Sequence, residues 1–476
     1  LTAATPGPSQ ENPSQGEGNG ILNMDTNSRK RRDDNMTQGP YNVEGLPQVQ
    51  AGSAQIDITP PLGTSLSGYF TDRVSDAVAD PLFVRAVVIQ SDGERMALVS
   101  CDVICLTRET TDAAKERITQ CCGIDPERVL ICATHTHTGP NPRRGGKQII
   151  PVNTEWLDAL PGKIAAAVEA ACADMFEAIL VPGRQSETDF GSNRLGRMRD
   201  GAEVFGKDQT LGPAGPIDPD VFAMAVRELD GTVRAMVVNH AMHADATGGT
   251  HISAGWPGKV GRTISDVYGP QAVTVFLNGC CGDINHHHWE PKRISAKGQL
   301  RTDQMGRAMA GLAINAVEMA EPLDSAVIDG LLRQPQIPWY TRDEAMRAEV
   351  EKLRAQPKPS DKDALVIERF DEWPYDGQQA EVTVQAIRLG DLIFIGLPGE
   401  IFTKWGLEIK RWSPARFTFV AELANDWFGY IPTSDQAHRG AYGAKPILSR
   451  RLNADGGRQM TDAVQIMMWD LWEGRK

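Results

Sequence analysis

The sequence predicts a mixed α/β (α+β) protein in which mixed β-sheets are flanked by helices. Runs of β-branched apolar residues alternate with amphipathic stretches from Ala54 onward. Turn residues predict hairpins at Ser91-Asp92-Gly93, Asp230-Gly231 and Gly390-Asp391. Several apolar runs end in clusters of His, Asp, Asn and Gly, so polar side chains gather where strands lead into loops.

Each element follows from a local pattern. Apolar runs of strand length, rich in β-branched residues, predict strands at 54–58, 83–90, 95–104, 129–134, 221–228, 233–240, 272–277, 381–388, 391–396 and 416–422. Longer stretches with helical periodicity predict helices at 107–121, 154–173, 258–267, 302–320, 342–355 and 458–472. The charged, Ala- and Glu-rich character of 342–355 and its flanks predicts an exposed insertion at about 335–375.

The composition is that of an ordinary soluble protein, and as partner we expect a small-molecule substrate. The 476 residues include 49 Lys and Arg against 62 Asp and Glu, which gives a net charge of −13. This acidic balance argues against nucleic acid as a partner, because nucleic acid requires a basic patch. Without an apolar run of 18 residues, the chain offers no candidate for an integral membrane segment. The sequence leaves a homo-oligomer open.

We expect a disordered leader over residues 1–50, which are rich in Gly, Pro, Asn, Gln and Ser, and one large domain over 51–476. The chain does not begin with the pattern of a secretory signal. The protein is therefore expected to be cytoplasmic, or exported with its signal already removed. Most of the eight cysteines lie in apolar runs, which favours buried free thiols over disulfides.

Eight of the nine histidines fall into three clusters, each after a predicted strand. In the first cluster, His135 and His137 are two positions apart and point to the same face of an extended chain. Such a pair can hold one metal ion, or one imidazole can bind the metal and the other the substrate. Two surface histidines in a loop are an equally good interpretation of the spacing.

The second and third clusters add further candidates. His240 and His243 are three positions apart, so an extended strand does not bring both to one face. Either can join the first cluster with Asp245 as its partner, or both can close the strand end by hydrogen bonding. In the third cluster Asp283 is a candidate ligand or orienting carboxylate, and the consecutive residues 286–288 cannot all face one site.

Two later loops supply oxygen ligands. Glu400 follows a strand and a Pro-Gly turn, and Asp426, Tyr430 and Tyr442 follow the next strand. Each residue alone is a weak signal. Together with the histidines at the other strand ends, they predict a hydrolytic metal centre.

The motifs together resemble the neutral/alkaline (non-lysosomal) ceramidase superfamily. They occur in that family's order over about residues 54–450, as QIDITPPLG (55–63), ATHTHTGP (133–140), NHAMH…ISAGWPG (239–258), NGCCGDIN (278–285), LPGEIFT (397–403) and ANDWFGYIPT (424–433). The resemblance implies a single large ceramidase-like catalytic domain that hydrolyses its substrate with the help of zinc.

The resemblance also implies roles for individual residues. The family holds one zinc ion with two His, one Glu and one Tyr, which match His135, His243, Glu400 and Tyr430. His137 would then face the substrate and the attacked carbonyl. The family's Asn-Arg pair matches Asn193-Arg194, and its later active-site Tyr matches Tyr442.

The chain departs from the family in two ways. Asn285 stands where ceramidases carry the Ser proposed as the nucleophile, and an amide side chain is not usefully acylated. Only 34 residues follow Tyr442, too few for the Ig-like C-terminal domain of true ceramidases, so we expect no such domain. Arg143, Arg144 and Arg194 near the predicted site suggest a substrate with polar or anionic groups.

We therefore expect a zinc-dependent hydrolase in which metal-bound water attacks an amide (N-acyl) or related acyl bond of a polar substrate. His137 and Arg194 would stabilise the oxyanion, and Tyr442 would orient the substrate. One alternative is a metal-dependent esterase, lactonase or carbohydrate-active enzyme on the same fold, and another is an inactive binding homologue. Candidates for a second shell or a second divalent ion are Asp245, Asp283, His240 and the His286–His288 run.

Overall fold

The computed structural model describes residues 39–144, 150–206, 208–286, 289 and 297–475. Within these ranges the α-helices are α1 (Arg108–Cys122), α2 (Thr154–Ala173), α3 (Gly255–Tyr268), α4 (Gln299–Glu318), α5 (Glu344–Arg354), α6 (Asp361–Asp371), α7 (Thr403–Trp412), α8 (Ser434–His438) and α9 (Gly456–Glu473). None of these helices is long and apolar enough to cross a bilayer.

The strands of the described chain fall into two larger sheets and several short ladders. They are β1 (Val49–Asp57), β2 (Ala77–Val78), β3 (Phe83–Ser91), β4 (Glu94–Cys101), β5 (Val129–Ala133), β6 (Phe176–Ser186), β7 (Ser192–Asn193), β8 (Leu195–Arg197), β9 (Glu203–Phe205), β10 (Asp220–Glu228), β11 (Val233–His240), β12 (His251–Ile252), β13 (Val273–Asn278), β14 (Ile284–Asn285), β15 (Ile328–Arg333), β16 (Gln336–Pro338), β17 (Gln379–Glu381), β18 (Val384–Leu389), β19 (Leu392–Gly396), β20 (Glu400–Ile401), β21 (Phe417–Ala421) and β22 (Tyr430–Ile431).

The large sheet has the order β13-β11-β10-β6-β1-β3-β4-β5, and the small sheet has the order β15-β18-β19-β21. The large sheet is antiparallel at its centre, while its outermost pairs, β11 with β13 and β4 with β5, are parallel. In the small sheet, β19 and β21 are parallel. The prediction of mixed sheets is confirmed.

The two sheets pack face to face and are covered by helices on their outer faces. The core between them joins Val87, Leu98 and Val237 of the large sheet to Phe394 and Phe419 of the small sheet. Alternation along each strand sends the neighbouring residues to the opposite face, where helices cover them. Helices α1 and α2 cover one half of the large sheet, α3 and α4 cover the other, and α7 and α9 cover the small sheet.

The segment after β21 fastens the small sheet to both edge strands of the large sheet. The backbone N–H of Glu422 donates to Asn278 O at the end of β13 at 2.9 Å, and that of Asn425 donates to Ile131 O in β5 at 3.0 Å. Leu423 and Asn425 adopt positive φ values of 55° and 66°, which lets the segment turn between these partners. The carboxyl ends of strands from both sheets therefore meet in one place.

All six predicted helices and all ten predicted strands have counterparts among the described elements. The sequence prediction omitted β6, because Pro182 and Gly183 lie in its middle and argue against a strand. Gly183 is required there, since a Cβ at this position would collide with the carbonyl oxygen of Ala316 in α4. The short helix α7 was also omitted; its Gly406 packs against Cys280.

The predicted leader extends beyond the described residues, which begin at residue 39, and β1 already starts at Val49 within its last two positions. Residues 335–375 contain β16, α5 and α6. The two helices share a small separate core with the loop at Ile447 and Leu448. All eight cysteines are free thiols.

One buried charge gives the fold a testable pH dependence. Lys115 in α1 is only 4% exposed, and its Nζ lies 3.3 Å from Gln385 Oε1, which also accepts a hydrogen bond from Asn425 Nδ2. Burial lowers the pKa of Lys115 to about 7 from 10.5. The folded protein thus loses this proton at lower pH than the unfolded chain, so the free energy of unfolding rises from about pH 7 to about pH 10.5.

We predict that Lys115→Met is more stable than the wild type below pH 7, because the variant buries no charge. The difference in the free energy of unfolding between Lys115→Met and the wild type should shrink by ~4 kcal/mol between pH 7 and about pH 10. Urea unfolding at both pH values measures this, with the exposed Lys352→Met as the control. A stability difference that does not change with pH would contradict the prediction.

Candidate metal centre

The candidate ligands follow four strand ends of the two sheets, and the loop after a fifth strand carries Asp283, which positions neighbouring loops. His135 follows β5, His243 follows β11, and Asp283 follows β13 in the large sheet, while Glu400 and Tyr430 follow β19 and β21 in the small sheet. Glu400 and Tyr430 lie side by side, because β20 and β22 pair in parallel with these two residues in register. The convergence of strand ends thus brings together residues far apart in the chain.

The predicted nitrogen and carboxylate ligands meet in a buried cluster. His135 Nε2 lies 3.1 Å from His243 Nε2. Glu400 Oε2 lies 3.7 Å from His135 Nε2 and 3.8 Å from His243 Nε2. Both imidazoles are 1% exposed and the carboxylate 6%. Two nitrogen ligands of one tetrahedral zinc ion are about 3.3 Å apart, so this donor set fits the metal.

The hydrogen bonds on the far side of each ring determine the tautomers. His135 Nδ1 lies 2.7 Å from Ile104 O, and His243 Nδ1 lies 3.1 Å from Cys281 O. A carbonyl oxygen only accepts, so both Nδ1 atoms carry the proton. In the neutral rings both Nε2 atoms then turn a lone pair toward the same point. Burial, followed by the charge of Arg194, lowers the pKa of His243 well below its usual range.

His137 approaches the same centre, although not by the alternation that the sequence suggested. His135 is not extended but has a φ of 68°, a conformation that costs energy outside glycine. His137 Nε2 nevertheless lies 3.3 Å from His135 Nε2. Gly68, with a φ of 113°, makes room for the ring, since a Cβ there would come within 2.6 Å of His137 Cβ. Burial and the neighbouring His135 lower the pKa of His137 to about 3.

Arg194 connects the phenol of Tyr430 to the loop after β13. Its Nη2 donates to Tyr430 Oη at 3.0 Å and to Gly282 O at 2.7 Å. Its guanidinium carbon lies 5.0 Å from the centre of the Tyr442 ring. Burial and the carboxylate of Glu400 raise the pKa of Tyr430 well above its usual range. The structure therefore brings Arg194, Tyr430 and Tyr442 together beside the candidate ligands.

Glu422 supports the centre and was missed from the sequence. Its Oε2 accepts hydrogen bonds from the backbone N–H of Cys281 at 3.0 Å and of Ile401 at 2.8 Å, and the Cys281 thiol donates to its Oε1 at 2.9 Å. It thus fixes both the carbonyl that orients His243 and the backbone next to Glu400. The one available signal is a carboxylate within the otherwise apolar run 417–424.

Asp283 positions loops and is not adjacent to the cluster of imidazoles. It is fully buried, accepts from the backbone N–H of Thr403 at 2.7 Å and accepts from Asn193 Nδ2 at 2.8 Å. Burial raises the pKa of Asp283. His240 lies apart from the metal centre, with its Nε2 3.8 Å from Glu187 Oε2.

Asn285 and Asp245 form a second polar group beside the centre. Asn285 Nδ2 donates to Asp245 Oδ2 at 3.3 Å, and Asn285 Oδ1 accepts from the backbone N–H of His286 at 2.7 Å. His286 is fully buried, with its Nε2 3.5 Å from Asp245 Oδ1. Residues 287 and 288 of the predicted histidine run lie outside the described residues.

The two arginines predicted to bind the substrate, Arg143 and Arg144, lie in different surroundings. The guanidinium carbon of Arg143 lies 4.4 Å from the centre of the Trp427 ring, and Trp427 Nε1 donates to Glu400 Oε1 at 3.3 Å. Arg144 is exposed and pairs with Asp158 in α2. Arg143 therefore lies near the centre and Arg144 does not. Trp427 was not predicted from the sequence.

We predict that two replacements of Glu422 differ in stability, because only one of them keeps the hydrogen-bond acceptor. Glu422→Gln keeps an oxygen acceptor and should cost less than about 1.5 kcal/mol. Glu422→Leu leaves the buried N–H groups of Cys281 and Ile401 unpaired, so it should cost ~3 kcal/mol or more and lower zinc content. Chemical unfolding and metal analysis test both variants. Equal stability of the two would contradict this role.

Comparisons with solved structures identify the fold of this chain. No family model and no curated protein matches the sequence. Among solved structures, neutral ceramidase from Pseudomonas aeruginosa has a TM-score of 0.73 at 17% identity, with 90% of this chain and 75% of that chain covered. A ceramidase complexed with C2 has a TM-score of 0.71 at 16% identity, with 90% and 76% covered. The chain therefore has the neutral ceramidase-like fold that the sequence motifs predicted.

Proposed function

We propose that this chain is a zinc-dependent hydrolase that cleaves an amide (N-acyl) or related acyl bond of a polar substrate. The observation that carries the proposal is the pair of Nε2 lone pairs 3.1 Å apart with the Glu400 carboxylate beside them. The similarity to ceramidase structures supports amide hydrolysis as the reaction. When bound, zinc supplies Lewis-acid chemistry that activates water and polarises a carbonyl near neutral pH.

We assign zinc binding to His135, His243, Glu400 and Tyr430. His135 and His243 each donate Nδ1–H to a backbone carbonyl, as metal-ligating imidazoles commonly do. His137 differs, because its buried Nδ1 has no hydrogen-bond partner among the described residues. This difference supports placing His137 on the substrate side of the centre.

The remaining groups suit stabilisation of the negative charge that develops on an attacked carbonyl. Arg194 is buried and keeps its proton, since the surrounding phenols and carboxylates raise its pKa. Its bond to Gly282 O fixes its orientation in advance. His137 and Arg194 would therefore stabilise the oxyanion, and Tyr442 would orient the substrate.

Asn285 takes no covalent part in this proposal. Both ends of its amide are engaged, with Asp245 and with the backbone of His286. It supplies no nucleophile, so the oxygen of water would bond directly to the acyl carbon as the carbon–nitrogen bond breaks. The products would be the carboxylate and the protonated amine, without an acyl-enzyme. Asn285 instead holds Asp245 in position next to His243.

We predict that His135→Ala and Glu400→Ala each lose both zinc and activity, because each removes a ligand from a buried donor set. Metal analysis should find about one zinc per chain in the wild type and much less in the variants. The exposed His438→Ala should bind zinc like the wild type. Full zinc content in both ligand variants would contradict the assignment.

We predict that His137→Gln keeps its zinc but lowers kcat by about 10²–10³-fold, as for loss of one oxyanion donor. Paired amide and ester substrates with the same acyl group should be assayed together, because the same groups would act on both bonds. If His137→Gln lost its zinc, His137 would be a ligand and its substrate role would be wrong.

A further inference from the structure

Three half-buried arginines lie beside the candidate metal centre, and we call Arg143, Arg369 and Arg451 the arginine cluster. Arg143 and Arg451 flank one indole ring, and Arg369 lies near enough for its charge to act on Arg451. The guanidinium carbons of Arg143 and Arg451 lie 4.4 and 4.6 Å from the centre of the Trp427 ring. Trp427 in turn donates its Nε1–H to the proposed ligand Glu400 at 3.3 Å. One indole ring therefore connects the cluster to the reacting centre.

The residues that the structure describes balance the charges of the cluster only in part. In the described ranges, none of the three guanidiniums forms an ion pair with a carboxylate. The charge of Glu368 nevertheless opposes the lowering of the Arg369 pKa by burial, and that of Arg451 opposes the rise of the Asp426 pKa by burial. Arg369 Nη1 donates to Leu448 O at 3.3 Å, and the buried Nε of Arg143 has no hydrogen-bond partner within the described part of the chain. The carboxylate of Asp426 nearby accepts hydrogen bonds from backbone N–H groups, including that of Trp427.

Repulsion among the three guanidiniums acts on their pKa values in the same direction as burial. Burial, and then the charges of Arg143 and Arg369, lower the pKa of Arg451 to about 10. The pKa of Arg369 is also lowered, first by burial and then by Arg143. In a chain of net charge −13, three neighbouring cations whose charges are balanced only in part are unfavourable unless an anion joins them.

Three separate parts of the chain build the cluster. Arg143 belongs to the loop that carries His137, Arg451 follows Tyr442 in sequence, and Arg369 comes from α6 in the segment predicted as an insertion. The small core at Ile447 and Leu448 fixes α6 against the loop that leads to Arg451. The insertion thus contributes a cation to the surroundings of the metal centre.

We infer that the arginine cluster binds an anionic oxygen group of the substrate, so that the enzyme acts on acidic amides. Guanidinium groups pair with carboxylate, sulfate or phosphate oxygens through two parallel N–H bonds, and stacking on an indole ring holds them in orientation. This inference rests on the proposed function for the bond that is cleaved, but the binding of the anion is independent of catalysis.

The first experiment measures anion binding without turnover. Calorimetric titration of the zinc-loaded protein with inorganic sulfate, inorganic phosphate and glutarate should detect binding of at least one anion to the wild type. The Arg369→Met/Arg451→Met double variant should bind at least about tenfold more weakly. Arg411→Met is the matched control, because Arg411 is also an arginine over an indole ring, that of Trp412, but is exposed. This variant should bind the anions as tightly as the wild type does.

Zinc content equal to that of the wild type would show that the double variant is folded around its centre. Equal anion affinity of the wild type and the double variant, or no anion binding by the wild type, would overturn the inference.

The second experiment tests which part of the substrate carries the charge. Two pairs of amides differ only in an acidic group: N-octanoylglycine with N-octanoylethanolamine, and the monoamide of suberic acid with octanamide. In one pair, kcat/KM should favour the acidic member by at least about tenfold, and the double variant should reduce that ratio by a similar factor. Cleavage with the same ratio in both proteins would overturn the inference. Anion binding with no cleavage of any amide would instead contradict the proposed function.

Discussion

The Nε2 lone pairs of His135 and His243 face each other across 3.1 Å in the protein interior, and the surrounding structure maintains this contact. Two buried lone pairs repel each other unless a cation lies between them. Each ring is held in this tautomer by a backbone carbonyl, Ile104 O in one case and Cys281 O in the other. The energy that such an arrangement costs would favour the binding of a metal ion between the two rings.

The architecture serves this contact by bringing strands of two sheets to one point. His135 follows the edge strand β5, His243 follows β11 next to the opposite edge of the large sheet, and Glu400 comes from the small sheet. The segment after β21 bonds to both edges, and the carboxylate of Glu422 within it also fixes the backbone of Cys281 and Ile401. The positive φ of His135, Leu423 and Asn425 shows that local strain is accepted to complete this arrangement.

The sequence predicts the histidines, Glu400 and Tyr430 because each follows an apolar strand in a recognisable motif. It does not reveal Glu422, Trp427, Arg369 or Arg451, because each is a single polar or aromatic residue whose partners are distant in the chain. The sequence pattern also led to the omission of β6, because Gly183 argues against a strand. The packing of α4, and not the strand itself, requires this glycine. His240 shares a motif with His243, yet the turn between them directs it to Glu187.

Crystallographic data collected above and below the zinc absorption edge test the central assignment most directly. Purified protein should give one anomalous difference peak within coordination distance of His135 Nε2, His243 Nε2 and a Glu400 carboxylate oxygen, and that peak should vanish below the edge. A peak bound by Asp245 and His286, or the absence of any peak in a zinc-saturated crystal, would contradict the metal centre described above.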